Sequence, residues 1–110
     1  MAFEIILAPE AVADLRRLSA RDRATVRDAM EIHLRHEPTK VSKVSKSRIK
    51  QLRGLARPQY RLRVGELRVF YDVAESEVQV LAIVAKADAD AWLLQAGQPH
   101  EESPPERDQG

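Results

Sequence analysis

The chain has 110 residues, of which 44% are hydrophobic and 32% are charged, and its formal net charge is +1. This length suits one domain with a single modest core. The absence of cysteine excludes a disulfide framework, thiolate metal sites and cysteine nucleophiles, and it fits a cytoplasmic location. No apolar run approaches the roughly 20 residues of a membrane span and no signal peptide is evident, so no membrane partner is expected.

The small net charge hides an uneven distribution. Residues 99–110 carry a net charge of −3, whereas residues 40–68 carry +9. So basic a segment favours a nucleic acid or a polyanionic protein as partner. Residues 39–50, with their repeated Lys-Val-Ser, predict a mobile basic loop, and the Pro- and Glu-rich residues 97–110 predict a disordered acidic tail.

The first third of the chain predicts a strand and two helices. Phe3–Leu7 is a short apolar run typical of a strand, Pro9 suits the first turn of a helix, and Ser19 can cap a second one. Pro38 ends the second helix, because the residue before a proline disfavours helical conformation. Apolar residues recur at helical spacing in both helices: Val12, Leu15 and Leu18, then Val26, Met30 and Leu34.

Residues Tyr60–Asp72 predict a β-hairpin. Two alternating runs flank Gly65-Glu66, which suits a two-residue type II′ turn, and this turn places Arg63 opposite Arg68. One face of the hairpin is then apolar and faces the core: Tyr60, Leu62, Val64, Leu67, Val69 and Tyr71. The other face carries Arg61, Arg63, Arg68 and Phe70.

The opposed arginines admit two interpretations. Arg63 and Arg68 repel each other across the strands, which destabilises the hairpin unless an anion lies between them. Guanidinium groups match phosphate geometry, so one interpretation is a phosphate- or RNA-binding face. The other is a solvated polar face that keeps the sheet soluble.

The rest of the chain completes an α+β domain over residues 1–96. The apolar run Val78–Ala85 predicts a buried central strand, and Ala87–Ala96 predicts a closing helix. The order β-α-α-β-β-β-α predicts a small antiparallel sheet with helices against one face, an N-terminal helical hairpin and a short C-terminal helix. His33 and His36 lack an evident third ligand, so no metal site is expected.

This order resembles the RelE/ParE superfamily of toxins of bacterial type II toxin–antitoxin modules. Leu52-Arg53-Gly54, the hairpin Tyr60–Tyr71 and the strand Val80–Val84 carry the resemblance, which covers about residues 3–94. It implies a compact α+β fold and a cognate antitoxin as partner. RelE-like members cut mRNA in the ribosomal A site, without a metal or other cofactor, through attack of a ribose 2′-OH on the adjacent phosphate. ParE-like members inhibit DNA gyrase and are not nucleases.

For a RelE-like toxin, the resemblance implies a catalytic set of Arg61, Arg63, Arg68, Lys86 and Trp92. The arginines would hold phosphate and stabilise the transition state, but arginine stays protonated, so Lys86 is the expected base. Trp92 stands where a tyrosine is often found. Because an indole N–H is not a useful acid, Trp92 is expected to stack on a base.

A second set of residues is expected to bind RNA phosphates or bases: Lys43, Lys46, Arg48, Lys50, Arg53 and Phe70. The lysine loop has a further interpretation as the docking surface for an acidic antitoxin segment. The expected function is a ribosome-dependent mRNA endonuclease that is neutralised by its antitoxin. The alternatives are a DNA gyrase inhibitor and a RelE relative weakened by Trp92.

Overall fold

A computed structural model describes residues 2–41 and 48–99. Its strands are β1 (Glu4–Leu7), β2 (Ile49–Gln51), β3 (Leu55–Arg57), β4 (Tyr60–Val64), β5 (Leu67–Ala74), β6 (Glu77–Ala85) and β7 (Gln98–Pro99). Its helices are α1 (Pro9–Arg17), α2 (Ala20–Leu34) and α3 (Ala89–Ala96), the last preceded by a 3₁₀ turn at Lys86–Asp88. Lys43, Lys46 and residues 100–110 lie outside the described residues.

The main sheet has five strands in the order β1-β6-β5-β4-β2, and β3 pairs with β7 in a separate small sheet. The predicted α+β class is confirmed. The predicted antiparallel sheet is antiparallel except at β1, which runs parallel to β6. Parallel neighbours need a long crossover, and here the chain passes through α1, α2 and four further strands before β6 returns beside β1.

Three short strands are additions to the predicted order. β2, β3 and β7 have only two or three residues each, too few to show a periodic pattern. Ile49 in β2 is 5% exposed and pairs with Leu62, so the predicted basic loop ends in a strand of the sheet. Gln98 and Pro99 pair with β3, and the prediction of a disordered tail is wrong at these two residues.

The predicted hairpin register is confirmed for all its residue pairs. Val64 pairs with Leu67 and Arg63 with Arg68, and Gly65 has a φ of 58°. That positive φ is the conformation that a type II′ turn needs at its first central position, where glycine has no Cβ to clash. The register fixes which side chains face the core and which face outward.

Helices α1 and α2 cover one face of the sheet. Ser19 caps α2, since its hydroxyl oxygen accepts a hydrogen bond from the backbone N–H of Asp22 at 3.1 Å. The predicted stripe on α2 is buried and packs with the core face of the hairpin in one cluster: Val26, Met30, Leu34, Leu62, Val64, Val69 and Tyr71. Helix α3 lies on the opposite face, where Trp92 stacks on Phe70, so the prediction of helices against one face is wrong for α3.

A buried carboxylate completes the open edge of β6. The β1 pairing ends at Val80, and farther along β6 the backbone N–H of Ile83 donates to Asp14 Oδ2 at 2.9 Å. Asp14, on α1, is 7% exposed, and its second oxygen accepts from Arg17. The side chain thereby satisfies a strand donor that has no neighbouring strand.

The buried hydroxyl of Tyr71 should make the free energy of unfolding decrease at alkaline pH. This hydroxyl donates to the Pro38 carbonyl at 2.6 Å, and burial, together with Tyr60, raises the pKa of Tyr71. A raised folded-state pKa favours the neutral phenol, so this stabilisation is complete below the unfolded pKa of about 10 and is lost as the pH rises above it.

We therefore expect the free energy of unfolding of the wild type, measured with urea, to hold steady up to about pH 10 and to fall as the pH rises further. Tyr71→Phe should lower it by about 1 kcal/mol at neutral pH, since the Pro38 carbonyl loses its donor, and should flatten the alkaline decline. An unchanged alkaline slope in the variant would contradict this role for Tyr71.

Candidate nucleic-acid interface

The outward face of the hairpin continues onto β2 and forms one basic surface. Lys50 of β2 pairs directly with Arg61 of β4. The backbone N–H of Arg63 donates to the carbonyl of Arg48 at 2.8 Å, which places Arg48 beside Arg63. Directly opposed residues share a face of the sheet, so Lys50, Arg61 and the Arg63–Arg68 pair lie together. Arg48 lies at the edge of this face, where its Nη1 donates to the Arg63 carbonyl at 3.4 Å. Burial, followed by the charge of Arg48, lowers the pKa of His33 on α2. We call this surface the basic face: Arg48, Lys50, Arg61, Arg63 and Arg68.

Exposure decreases across the basic face. Arg48 and Lys50 are exposed, Arg61 and Arg63 are half-buried, and Arg68 is only 8% exposed. Burial, followed by the positive charges of Arg68 and Arg63, lowers the pKa of Arg61. The three guanidinium groups are thus close enough to repel one another, and a bound anion would relieve that repulsion.

Arg68 stabilises the hairpin turn and also contributes positive charge to the basic face. One of its guanidinium nitrogens, Nη1, donates to the carbonyls of Gly65 and Leu67, both at 2.9 Å. The side chain is therefore folded back on the turn. In this conformation Arg68 adds positive charge beneath the surface, whereas Arg61 and Arg63 are only half-buried.

Lys86 and Arg53 lie at opposite ends of the basic face. The backbone N–H of Lys86 donates to the carbonyl of Glu66 at 2.7 Å, which places Lys86 beside the hairpin turn, with its side chain exposed. Arg53 is exposed in the turn after β2, next to Gly54 with a φ of 78°. It lies beyond the paired rows of the sheet and is therefore not counted in the basic face.

Trp92 and Phe70 pack on each other. Their ring centroids are 4.9 Å apart and their planes differ by 12°, and the indole N–H of Trp92 donates to Glu10 Oε2 at 2.8 Å. Phe70 is 1% exposed, so the prediction that it contacts RNA is wrong in this structure: no ring surface is available. Trp92 already uses one ring face on Phe70, and it joins α3 to both the sheet and α1.

Sequence reasoning missed the β2 part of the basic face. Arg48 and Lys50 were expected to bind RNA from a mobile loop, but they lie on the sheet beside the hairpin arginines. The sequence Arg48-Ile49-Lys50 does carry a short strand signal. Its apolar residue lies between two cations, which is the alternation of buried and outward side chains expected along a strand.

Two other classes of site are absent from the described residues. Across residues 2–41 and 48–99, no group of three or more His, Asp and Glu side chains is placed to hold a metal ion. No helix in that part of the chain is both long and apolar enough to cross a bilayer.

Solved toxin–antitoxin complexes contain chains with this architecture. The RelBE2 complex of Mycobacterium tuberculosis matches with a TM-score of 0.60 and 23% identity, covering 77% of this chain and 99% of that one. The RelE–RelB complex of Pyrococcus horikoshii matches with a TM-score of 0.61 and 22% identity, covering 78% of this chain and 97% of that one. The chain has the RelE fold. The RelB–RelE complex of Methanococcus jannaschii agrees, with a TM-score of 0.58 and 20% identity, covering 79% and 96%.

The resemblance expected from the sequence is thus confirmed for the RelE fold. No family model matches the sequence, and no curated protein matches it. At 20–23% identity the likeness to RelE structures establishes the fold, so function is argued from the basic face that this sheet displays.

Proposed function

We propose that this protein is the toxin of a type II toxin–antitoxin module and a ribosome-dependent mRNA endonuclease. The observation that carries the proposal is the basic face, where Arg63 lies directly opposite Arg68 although like charges repel each other. The matching structures named above are RelE–RelB complexes, and we accordingly propose a cognate antitoxin as the protein partner.

The proposed reaction is cleavage through the ribose 2′-OH. The 2′-oxygen attacks the adjacent phosphorus and loses its proton, the bond to the 5′-oxygen breaks, and the 5′-oxygen gains a proton. Negative charge accumulates on the phosphate oxygens between these steps. Arg61 and Arg63, which are half-buried and side by side, are suited to hold that phosphate and to stabilise its charge.

A lysine must supply the proton acceptor on this face, because arginine does not deprotonate in proteins. Lys86 was the lysine predicted from the sequence. We propose Lys50 as a second candidate, because it is exposed and directly opposite Arg61. Lys50 would reach a phosphate held by Arg61 from the neighbouring strand, whereas Lys86 would approach it from the hairpin turn.

One observation favours a second candidate function, inhibition of DNA gyrase without nuclease activity. Trp92 occupies the position where a proton-donating tyrosine was expected, and its indole N–H is already bonded to Glu10. A gyrase inhibitor would need no proton donor, and a basic face would suit an acidic protein surface equally well.

Expression of the chain in bacteria tests the proposal against this alternative. If the protein cuts mRNA on ribosomes, we expect incorporation of labelled amino acids to stop within minutes of induction, before any DNA-damage response. A DNA-damage response that precedes the loss of translation would favour gyrase inhibition. Co-expression of the neighbouring antitoxin gene should restore growth in either case, which controls for nonspecific toxicity.

A further inference from the structure

Residues 100–110 form an acidic segment of the sequence that is opposite in charge to the basic face. We propose that residues 100–110 lie on the basic face of the same molecule and compete there with RNA. The contact itself is independent of what the basic face binds, whereas its inhibitory consequence rests on the proposed function.

Charge complementarity is the first support. Residues 100–110 contain Glu101, Glu102, Glu106 and Asp108 against Arg107 alone, a net charge of −3 in a chain whose total is +1. The basic face holds five cations on and beside three adjacent strands and includes no acidic residue in its paired rows. Carboxylates can pair with guanidinium groups through two parallel hydrogen bonds, as phosphates do.

The point where the segment begins is the second support. Gln98 of β7 pairs with Arg57, and Arg57 Nε donates to Asp72 Oδ2 at 2.7 Å. Asp72 and Arg68 point to the same side of β5, because side chains alternate along a strand and these two are an even number of residues apart. The last described residues, Gln98 and Pro99, therefore lie near Asp72, on the same outward face of the sheet that carries the arginines.

Reach is the third support. Asp72 lies about 13 Å from Arg68 along β5, at ~3.3 Å per residue. Any nine residues span up to ~30 Å when extended, and a random coil of nine residues has a root-mean-square end-to-end distance of roughly 17 Å. Helix α3 lies on the same face, because its Trp92 covers Phe70 between Asp72 and Arg68. The segment is long enough to pass beside α3 and reach the arginines without full extension, and a tether of this length gives an effective concentration in the millimolar range.

Other basic surfaces are less favourably placed. Arg21 and Arg27 are exposed on α2, but α2 covers the core side of the sheet, opposite the basic face. A segment that leaves β7 on the outward side would have to pass around an edge of the sheet to reach them.

Paramagnetic relaxation enhancement tests the contact directly. The chain has no cysteine, so a nitroxide attached through Gln109→Cys labels the segment at a single position. We expect the amide signals of residues 61–68 to broaden relative to a diamagnetic label. The broadening should disappear in 1 M NaCl, where the Debye length is about 3 Å. It should also disappear when Glu101, Glu102, Glu106 and Asp108 are replaced by their amides.

Broadening confined to α1 and α2, or no broadening at all, would overturn the proposal. Because this measurement uses neither RNA nor ribosomes, its result does not depend on nuclease activity. A failure of the contact is therefore distinguishable from a failure of the proposed function.

Binding of a single-stranded RNA of about ten nucleotides tests the competition. If the segment covers the face about two-thirds of the time, neutralising its four acidic residues should tighten the apparent Kd about threefold at low salt. Deletion of residues 100–110 should have the same effect. An unchanged Kd in both variants, with the relaxation contact present, would overturn the competition with RNA.

Discussion

Replacing Arg63 with glutamine should abolish mRNA cleavage while leaving the protein as stable as the wild type or more stable. Arg63 lies opposite Arg68, and removing one of two opposed like charges relieves repulsion worth roughly 0.2–1 kcal/mol. In the reaction, loss of a group that stabilises the transition-state charge costs a factor of about 10² to 10³ in rate. Activity and stability are thus expected to move in opposite directions, which distinguishes a binding residue from a structural one.

The matched control is Arg21→Gln, which removes the same charge from an exposed position on α2 outside the basic face. This variant should retain wild-type cleavage. Both variants are measured by urea unfolding and by cleavage in a translation reaction. Full cleavage by Arg63→Gln would remove Arg63 from the site, and equal loss of cleavage in Arg21→Gln would point to overall charge instead.

Trp92→Ala should give the largest loss of stability of the changes considered. No residue of α3 is fully buried, and Trp92 connects the helix to the sheet by its stack on Phe70 and to α1 by its hydrogen bond to Glu10. Truncation would leave the Phe70 ring facing water. We expect a loss of about 2–3 kcal/mol, below the roughly 3–5 kcal/mol typical of fully buried aromatic residues, because Trp92 is half-buried.

Leu94→Ala is the control on the same helix, since Leu94 is 88% exposed and its removal should cost less than about 0.5 kcal/mol. Unfolding midpoints in urea compare the two variants. Trp92 is the single tryptophan of the chain, so its fluorescence also reports the docking of α3 in the wild type. A Trp92→Ala protein as stable as Leu94→Ala would show that the stack does not hold α3 in place.

The hairpin could be predicted because its signals agree with one another. The alternating pattern allows one face to be buried, and Gly65-Glu66 fixes the turn, so a shift by one residue would expose the whole apolar set. The same register predicted the opposed pair Arg63 and Arg68. Local signals of this kind determine both the strand pairing and the side chains that each face displays.

The place of β2 in the sheet and the cover over Phe70 could not be predicted, because both depend on contacts between segments that are distant in the sequence. The sequence Arg48-Ile49-Lys50 is too short to identify a strand, and only its pairing with β4 places it on the sheet. Phe70 offered a clearer signal: a large apolar ring on an otherwise basic face needs a cover. The residue that covers it, Trp92, lies more than twenty positions along the chain, and no local spacing relates the two.

The central claim is that this chain cuts mRNA on the ribosome. The most direct measurement is a cell-free translation reaction with the purified, folded protein, in which primer extension maps the mRNA ends with and without ribosomes. We predict cuts at A-site codons only when ribosomes are present, and their loss with Arg63→Gln. Intact mRNA in the presence of ribosomes and folded wild-type protein would contradict the account.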